Sequence, residues 1–372
     1  MSDRTVIVGA SIGGVCTAQA LRRGGYSGEV VLVDTDAEPP YDRPPLSKAM
    51  LLDGTEPTPT LLTHDQAAAS EIRLELGVAA QSLDIAAGAV DLADGRRLAF
   101  DDVVLATGSV ARPSPWGRHQ GLHVLRTLAD ARALRADLRR GGRLVVVGAG
   151  FIGAEVASAA TALGLSVSVV DPLPVPMGRV VGDEVGRVFE RLHQRHGVST
   201  YFGSGVEEVW RECGGLSLTL TDGTRLDADT VVVGIGATPN QGWLESSGLR
   251  LDDGVVCDEF CRAVGQPRVH VVGDLARWRH QRHAEWVRVE HWTNAVEQAS
   301  CVAHNIDHPE ALRACVPVEY VWSDQHDWKI QLAGRPWRGA RWEMLGDPDV
   351  DQRFAVLWAD EAGVLCGAMS VN

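Results

Sequence analysis

The sequence predicts an α/β protein built from two similar strand–turn–helix–strand units and a small α+β domain at the end. Three observations lead there. A glycine-rich turn follows an apolar strand twice, in TVIVGASIGG (5–14) and in RLVVVGAGFIG (143–153). After each turn comes a helical stretch and then a second strand that ends in an acid, EVVLVD (29–34) and SVSVVD (166–171). Each unit then closes with a meander holding an Asp-Gly turn, at 94–95 and 222–223, and an apolar strand, VVLATG (103–108) and TVVVGIG (230–236). A repeat this long marks a duplicated architecture rather than a solenoid.

The elements follow in order. Strand 5–9 leads through a turn to a helix ending near Arg23, and short strand-like runs lie around Leu74–Leu83 and Ala89–Leu92. The second unit starts at Arg143, with an alanine-rich helix over 154–163, a helix over 183–196 and strands near 198–202, 205–211 and 216–220. RVHVVGD (268–274) is a further strand, and a helix is expected from about Asn294 to Asn305. From Val318 the character changes, with Trp322, Trp328, Trp337, Trp342 and Trp358 among short strand-like runs. The expected domains are 1–112 joined with 241–314, then 113–240, then 315–372.

Composition sets limits. A chain of 372 residues that is 45% hydrophobic can hold two or three domains with real cores. A net charge of −14 speaks against generic nucleic-acid binding. No apolar run reaches membrane-spanning length, and no charged-then-apolar leader precedes the first strand. The cysteines, at 16, 213, 257, 261, 301, 315 and 366, are odd in number and scattered, which reads as reduced cytoplasmic thiols. Cys257 and Cys261 lack the second pair that a zinc site needs, so ordinary packing and no metal are expected.

A tight turn between strand and helix lets backbone approach a pyrophosphate and places it at the positive end of the helix. GAGFIG supplies Gly148, Gly150, Ile152 and Gly153, and Asp171 ends the following strand. A carboxylate there accepts from a ribose diol and repels a 2′-phosphate, favouring NADH over NADPH. GASIGG is less regular. Gly9, Gly13 and Gly14 are present and Asp34 is the terminal acid, but Ser11 stands where the middle glycine is usual. Glycine also serves tight turns that bind nothing, so the motif alone leaves a plain packing turn open.

The later motifs go further. YDRPPLSK (41–48), LATGS (105–109), LRTLADA (125–131), GAGFIGAEVA (148–157), GIGATPN (234–240), VVGD (271–274), EHWTNAVEQA (290–299) and VWSDQHDWKIQLAG (321–334) together resemble the ferredoxin-reductase-like flavoproteins. These are the putidaredoxin, rubredoxin and aromatic-dioxygenase reductases of the glutathione-reductase fold. The resemblance covers nearly the whole chain, and the PPLSK and WSDQ segments separate this group from most of its relatives.

The resemblance implies two Rossmann-like dinucleotide-binding domains, the first for FAD and the second for NADH. Hydride then passes from nicotinamide to flavin, and single electrons go to a ferredoxin-type iron–sulfur protein serving a cytochrome P450 or other oxygenase. No cysteine stands between Cys16 and Cys213, which argues against the redox disulfide of glutathione-reductase relatives. Pro44 and Pro45 fix φ and are expected to bar a helix, so that Ser47 and Lys48 start the next one. By resemblance, Lys48 is a buried cation at the flavin's reactive edge, paired with Glu155, which touches the nicotinamide. These two are the expected hydride-transfer residues; solvated, separate side chains are the alternative.

The same resemblance places Arg43 beside FAD, the Ala80 backbone at the adenine, and Thr107 and Gly108 in a tight turn near the flavin. It brings Arg126 to FAD from the interdomain connection, Asp274 to the ribityl chain and Trp292 to the isoalloxazine. Gly236 sits in the second unit's closing turn. An acidic partner would need a basic patch, and RWRHQRHAEWVR (277–288) offers Arg277, Arg279, Arg282 and Arg288 with His280 and His283. Lys329, Arg335, Arg338 and Arg341 could extend it, or these charges could simply be solvated. A monomer or weak dimer is expected. The chain stops after VLCGAMSVN (364–372), where family members usually run on through a helical segment, so a trimmed third domain or a missing end is expected. An NADH oxidase, a small-molecule reductase and a flavin-based redox sensor are the competing functions.

Overall fold

The computed structural model describes residues 3–52, 59–212, 214–282, 284–336 and 340–372. Cys213, His283, Trp337 and Arg338, singled out above, lie outside the described residues. The chain packs as two compact units, Met1–Asp42 with Thr58–Val110 and Thr238–Glu319, and Arg43–Pro57 with Ala111–Ala237 and Tyr320–Asn372.

The first unit is built on a parallel five-stranded sheet in the order Val269–Val271, Asp102–Leu105, Arg4–Val8, Glu29–Asp34, Ile72–Leu76. Its central strands are apolar throughout because both faces are covered. Val6, Val8, Val31 and Val33 point to one face, where Leu83, Val90, Leu92 and Leu98 of the antiparallel meander close over them. Ile7, Val30 and Leu32 alternate to the other face and meet Val15, Ala18 and Leu21 of the helix Ile12–Gly24 and Val302, Ala303 and Ile306 of the helix Trp292–Asp307. The Asp94-Gly95 turn lies between strands Ala89–Leu92 and Arg97–Ala99, with Gly95 at φ 86.

The second unit repeats this plan. Its parallel sheet runs Leu122–His123, Thr230–Val233, Arg143–Val147, Ser166–Asp171, Ser199–Phe202. Val145 and Val147 face Leu216, Leu218 and Leu220 of a second meander, while Leu144 and Val146 face Val156, Ala157 and Ala160 of the helix Phe151–Ala162. That helix starts three residues before the expected 154, at the glycine turn itself.

Residues 320–372 differ from the α+β expectation in one respect. Their described part forms strands only, an antiparallel sheet in the order Tyr320–Gln325, Trp328–Gly334, Leu365–Val371, Arg353–Ala359, Arg341–Asp347. Trp328, Ile330 and Leu332, like Phe354, Val356 and Trp358, alternate inward with the period of a strand. The helix that covers them, Asp183–Arg195, comes from earlier in the same unit and supplies Val185, Val188, Phe189 and Leu192.

A second expectation is corrected at Pro44-Pro45. The prolines open a 3₁₀ turn, Pro44–Ser47, rather than excluding helical backbone. At the start of a turn their missing N–H groups have no partner to lose, and their fixed φ suits the geometry. The α-helical turn Ala49–Leu52 follows, with Lys48 between the two.

Candidate functional site

The two glycine turns have the same construction. Gly9 and Gly148 stand at φ 110 and 107, and a Cβ there would meet Ala106 O at 2.3 Å and Gly234 O at 2.2 Å. Gly14 and Gly153 are packed as closely, with a Cβ falling 1.9 Å from Gly9 O and from Gly148 O respectively. The acid ending the second strand braces each turn. Asp34 Oδ2 accepts from the Ala10 amide at 2.5 Å, and Asp171 Oδ2 accepts from the Ala149 amide at 2.7 Å. Their other oxygens accept from Asp36 and Leu173 amides. Lone pairs remain on both carboxylates for a ribose diol.

Ser11 is accommodated for a geometric reason. Gly150, its counterpart, is extended at φ −81, ψ −174, and a Cβ there has nothing within 4 Å. Ser11 has the same backbone, at φ −94, ψ −165. This position therefore does not require glycine. Gly13 is buried at the first turn of its helix, where a Cβ would be 3.2 Å from Val272 Cγ2.

Both helices open without a side-chain cap and without an acid in the first turn. Their leading amides are thus left for another acceptor, and the helix dipole favours an anion there. Ile152 is 45% exposed and Ile235 is 38% exposed, beside the turns that begin at Gly148 and end at Gly236. Gly236 stands at φ 104. Uncapped amides, a glycine cradle and a bracing acid fit one dinucleotide in each unit.

The second unit also holds a buried charged cluster. Glu155, on the helix that opens from the second turn, is 3% exposed. Lys48 Nζ lies 2.8 Å from its Oε1. Ser323 Oγ donates to that oxygen at 2.6 Å, and Ser47 Oγ donates to Oε2. Lys48 Nζ also donates to Pro44 O at 3.3 Å. A carboxylate this buried needs such a set of donors to replace the hydration it has lost. Ser47 and Ser323 were not singled out in the sequence as site residues. The available signal was their place inside PPLSK and WSDQ, next to residues that were.

The other candidate residues are placed by local bonds. In the first unit, Asp274 Oδ2 accepts from Ser109 Oγ at 2.6 Å, and Trp292 Nε1 donates to Asp42 Oδ1 at 2.9 Å. Thr107 Oγ1 donates to Asn240 O at 2.9 Å, and Gly108 takes the left-handed conformation at φ 64. Ala80 begins an antiparallel strand opposite Leu92. In the second unit, Arg43 precedes the 3₁₀ turn, and the Arg126 amide donates to Asp130 Oδ2 at 3.1 Å ahead of a helix capped by Thr127.

The basic segment is a hairpin, Ala276–His280 against Glu285–Val287. Its arginines divide in two. Arg277 and Arg288 are largely covered and paired with Asp252 at 2.8 Å and Asp253 at 3.2 Å, while His280 is fully buried. Arg279 and Arg282 face solvent, as do Lys329, Arg335 and Arg341 in the other unit. Among the described residues, no helix is long and apolar enough to cross a membrane.

Residues 3–299 match the model of the pyridine nucleotide-disulphide oxidoreductases, and residues 320–372 match the reductase C-terminal domain. The chain is 36% identical to the ferredoxin–NAD(+) reductase component of the anthranilate 1,2-dioxygenase system of Burkholderia cepacia, over 100% of this chain and 91% of that one. It is also 36% identical to putidaredoxin reductase of Pseudomonas putida, over 90% of this chain and 80% of that one. A solved covalent complex of putidaredoxin reductase with putidaredoxin superposes with a TM-score of 0.92 at 33% identity, covering 100% of this chain and 90% of the other.

Proposed function

The chain belongs to the pyridine nucleotide-disulphide oxidoreductase family, and from that premise we propose that each of its two glycine turns holds one dinucleotide, FAD in the first unit and NADH in the second. It is an oxidoreductase of the ferredoxin–NAD(+) reductase type. The observation that carries the assignment of sites is the repeated construction of the turns, each with a glycine cradle, a helix N-terminus without a side-chain cap and a terminal acid. Held by the first turn, FAD would supply a hydride acceptor for NADH and a one-electron donor to a partner.

The chain's own residues position and tune. Gly9, Ser11, Gly13 and Gly14 bring backbone amides to a pyrophosphate, and Asp34 receives the adenosine ribose. Thr107, Gly108, Asp274 and Trp292, with the Ala80 backbone, line the rest of the first unit's site. Gly148, Gly150 and Gly153 cradle the second pyrophosphate, and Ile152 and Gly236 give its nucleotide a close, partly apolar bed. The charge of Asp171 selects NADH over NADPH. Lys48 and Glu155 serve the nicotinamide end, with Ser47 and Ser323 fixing the carboxylate so that its geometry does not change as the nucleotide arrives.

A ferredoxin-type iron–sulfur protein is the electron acceptor, and Arg279 and Arg282 are the docking residues on the hairpin that solvent reaches. Arg277 and Arg288 are already paired with acids and contribute less. The protein acts in the cytoplasm, as a monomer or weak dimer, and its partner serves a cytochrome P450 or another oxygenase.

Anaerobic titration of the purified protein with NADH tests this reading. Bleaching of the flavin absorbance, with a long-wavelength charge-transfer band, is the expected result. A yellow protein that NADH leaves unbleached would retain the first site and remove the reductase reading.

A further inference from the structure

Three of the cysteines scattered in the sequence converge in the first unit. Cys261 ends a turn in the left-handed region at φ 61, and its amide donates to Asp258 O at 3.2 Å. The Cys315 amide donates to Glu259 O at 2.7 Å, which ties the segment after the helix Trp292–Asp307 to the same turn. Cys301 and Asn305 lie one turn apart on that helix, on a common face. Asn305 Nδ2 donates to Phe260 O at 3.3 Å and to Arg313 O at 3.0 Å, and its Oδ1 accepts from the Arg313 amide at 2.7 Å. Cys301 Sγ donates to Arg313 O at 3.2 Å.

This clamp packs the three cysteines together, Cys261 and Cys315 in one buried cluster and Cys301 against it. Cys261 and Cys315 are 1% and 5% exposed, whereas Cys301 is only partly covered. Hydrogen bonds from the Cys261 and Cys315 thiols pull the Cys301 thiol well below the usual range, and the contact with Cys301 pushes Cys261 up. Among the described residues, no group of three His, Cys, Asp or Glu side chains is arranged to hold a metal ion.

We propose that Cys261, Cys301 and Cys315 form a peroxide-responsive site, in which Cys301 is the attacking sulfur and one of the two buried thiols resolves it to a disulfide. The Cys301 sulfur, giving up its proton, attacks one oxygen of hydrogen peroxide; the O–O bond breaks, and the departing hydroxide takes that proton and leaves as water. Cys301 is then a sulfenic acid, oxidised by two electrons while the peroxide is reduced by two. The sulfur of a buried thiol, losing its proton, attacks Cys301 sulfur; the S–O bond breaks and the hydroxide leaves with that proton as a second water. In sum, two thiols and one hydrogen peroxide give one disulfide and two waters.

The test uses the flavin-loaded full chain. After brief exposure to hydrogen peroxide, free thiols are blocked and the unreduced digest is analysed by mass spectrometry. The expected product is a linkage, 2 Da lighter than the two free peptides, that joins the Cys301 peptide to the Cys261 or Cys315 peptide. Cys301→Ser should abolish it. Recovery of Cys301 as the blocked free thiol, or as sulfinic acid without the linkage, would overturn the proposal. A second measurement needs no variant. Iodoacetamide at pH 7 should modify Cys301 roughly tenfold faster or more than Cys16, whose thiol burial pushes up. Equal or slower labelling of Cys301 would also overturn it.

Discussion

Ser323 and Lys48 share one oxygen. Ser323 Oγ donates to Glu155 Oε1 at 2.6 Å, and Lys48 Nζ stands 2.8 Å from the same atom. The serine lies in the last sheet and the lysine just past the double proline, so two distant segments converge on one buried carboxylate. Ser323→Ala removes a donor from a buried charge, which costs about 1–3 kcal/mol. The melting temperature should fall, the flavin spectrum should stay as it is, and stopped-flow reduction by NADH should slow. A lower melting temperature with an unchanged reduction rate would make Ser323 a support of the fold and nothing more.

Lys48→Met leaves Glu155 buried with two hydroxyl donors and no counter-charge. Breaking a buried pair from one side costs about 3–5 kcal/mol, while replacing both partners costs far less. Lys48→Met should therefore melt early and reduce its flavin slowly with NADH. The double variant Lys48→Met/Glu155→Gln should recover most of the thermal stability but not the reduction rate. Recovery of both would mean that the pair serves only the fold.

The glycine turns can be broken one at a time. Alanine at 14 or 153 sets a Cβ 1.9 Å from a backbone oxygen, which requires the turn itself to move. Gly14→Ala should give a protein that no longer retains FAD. Gly153→Ala should stay yellow yet resist bleaching by NADH. Ser11→Gly should change neither property, because that position is extended and its counterpart has open space. Loss of flavin from Gly153→Ala instead would reverse the assignment of the two sites.

Much of this was legible before the structure. The apolar strands, the Asp-Gly turns and the acids after the second strands mark both halves, because parallel sheets covered on both faces write continuous Val-rich runs. Ser11 was harder to judge, since sequence spacing does not say which glycine of a turn needs positive φ. The fate of the arginines at 277 and 288 depended on acids at 252 and 253, which are distant in the hairpin pattern and close only after folding. The thiol cluster was illegible for the same reason. Cys257 and Cys261 are neighbours in sequence, yet Cys261 meets Cys301 and Cys315 instead.

The charge of Asp171 can be separated from its bracing role. Its oxygens accept from the Ala149 and Leu173 amides, so alanine would disturb the turn as well as the charge. Asp171→Asn keeps an acceptor and removes the charge, which on the proposed reading opposes a 2′-phosphate. The ratio of kcat/KM for NADPH to that for NADH should rise roughly tenfold, equivalent to about 1.4 kcal/mol. Asp171→Ala should raise the same ratio with an added loss of NADH affinity. An unchanged preference in both variants would show that this carboxylate does not read the ribose.

Acid should loosen the second unit through its histidines. His193 is fully buried, its Nδ1 lies 3.1 Å from His326 Nε2, and His196 stacks on His326 at 4.2 Å between centroids. Burial, with His196 nearby, lowers His193 to about 4, and burial, with His193 and His196 nearby, lowers His326 to about 3. Asp327, 3.4 Å from His196 Nε2, is the acid at this cluster among the described residues. Both rings have folded values below the unfolded value of about 6.5, so the unfolded chain binds more protons and stability falls as the pH falls. The contribution is fully present above about pH 6.5 and is lost progressively as pH drops toward 4, at about 1 kcal/mol per pH unit for His193. Urea unfolding at pH 7, 6 and 5 should show that slope in the midpoint of the second unit. His193→Asn should flatten it, and a variant as steep as the parent would place the protonation elsewhere.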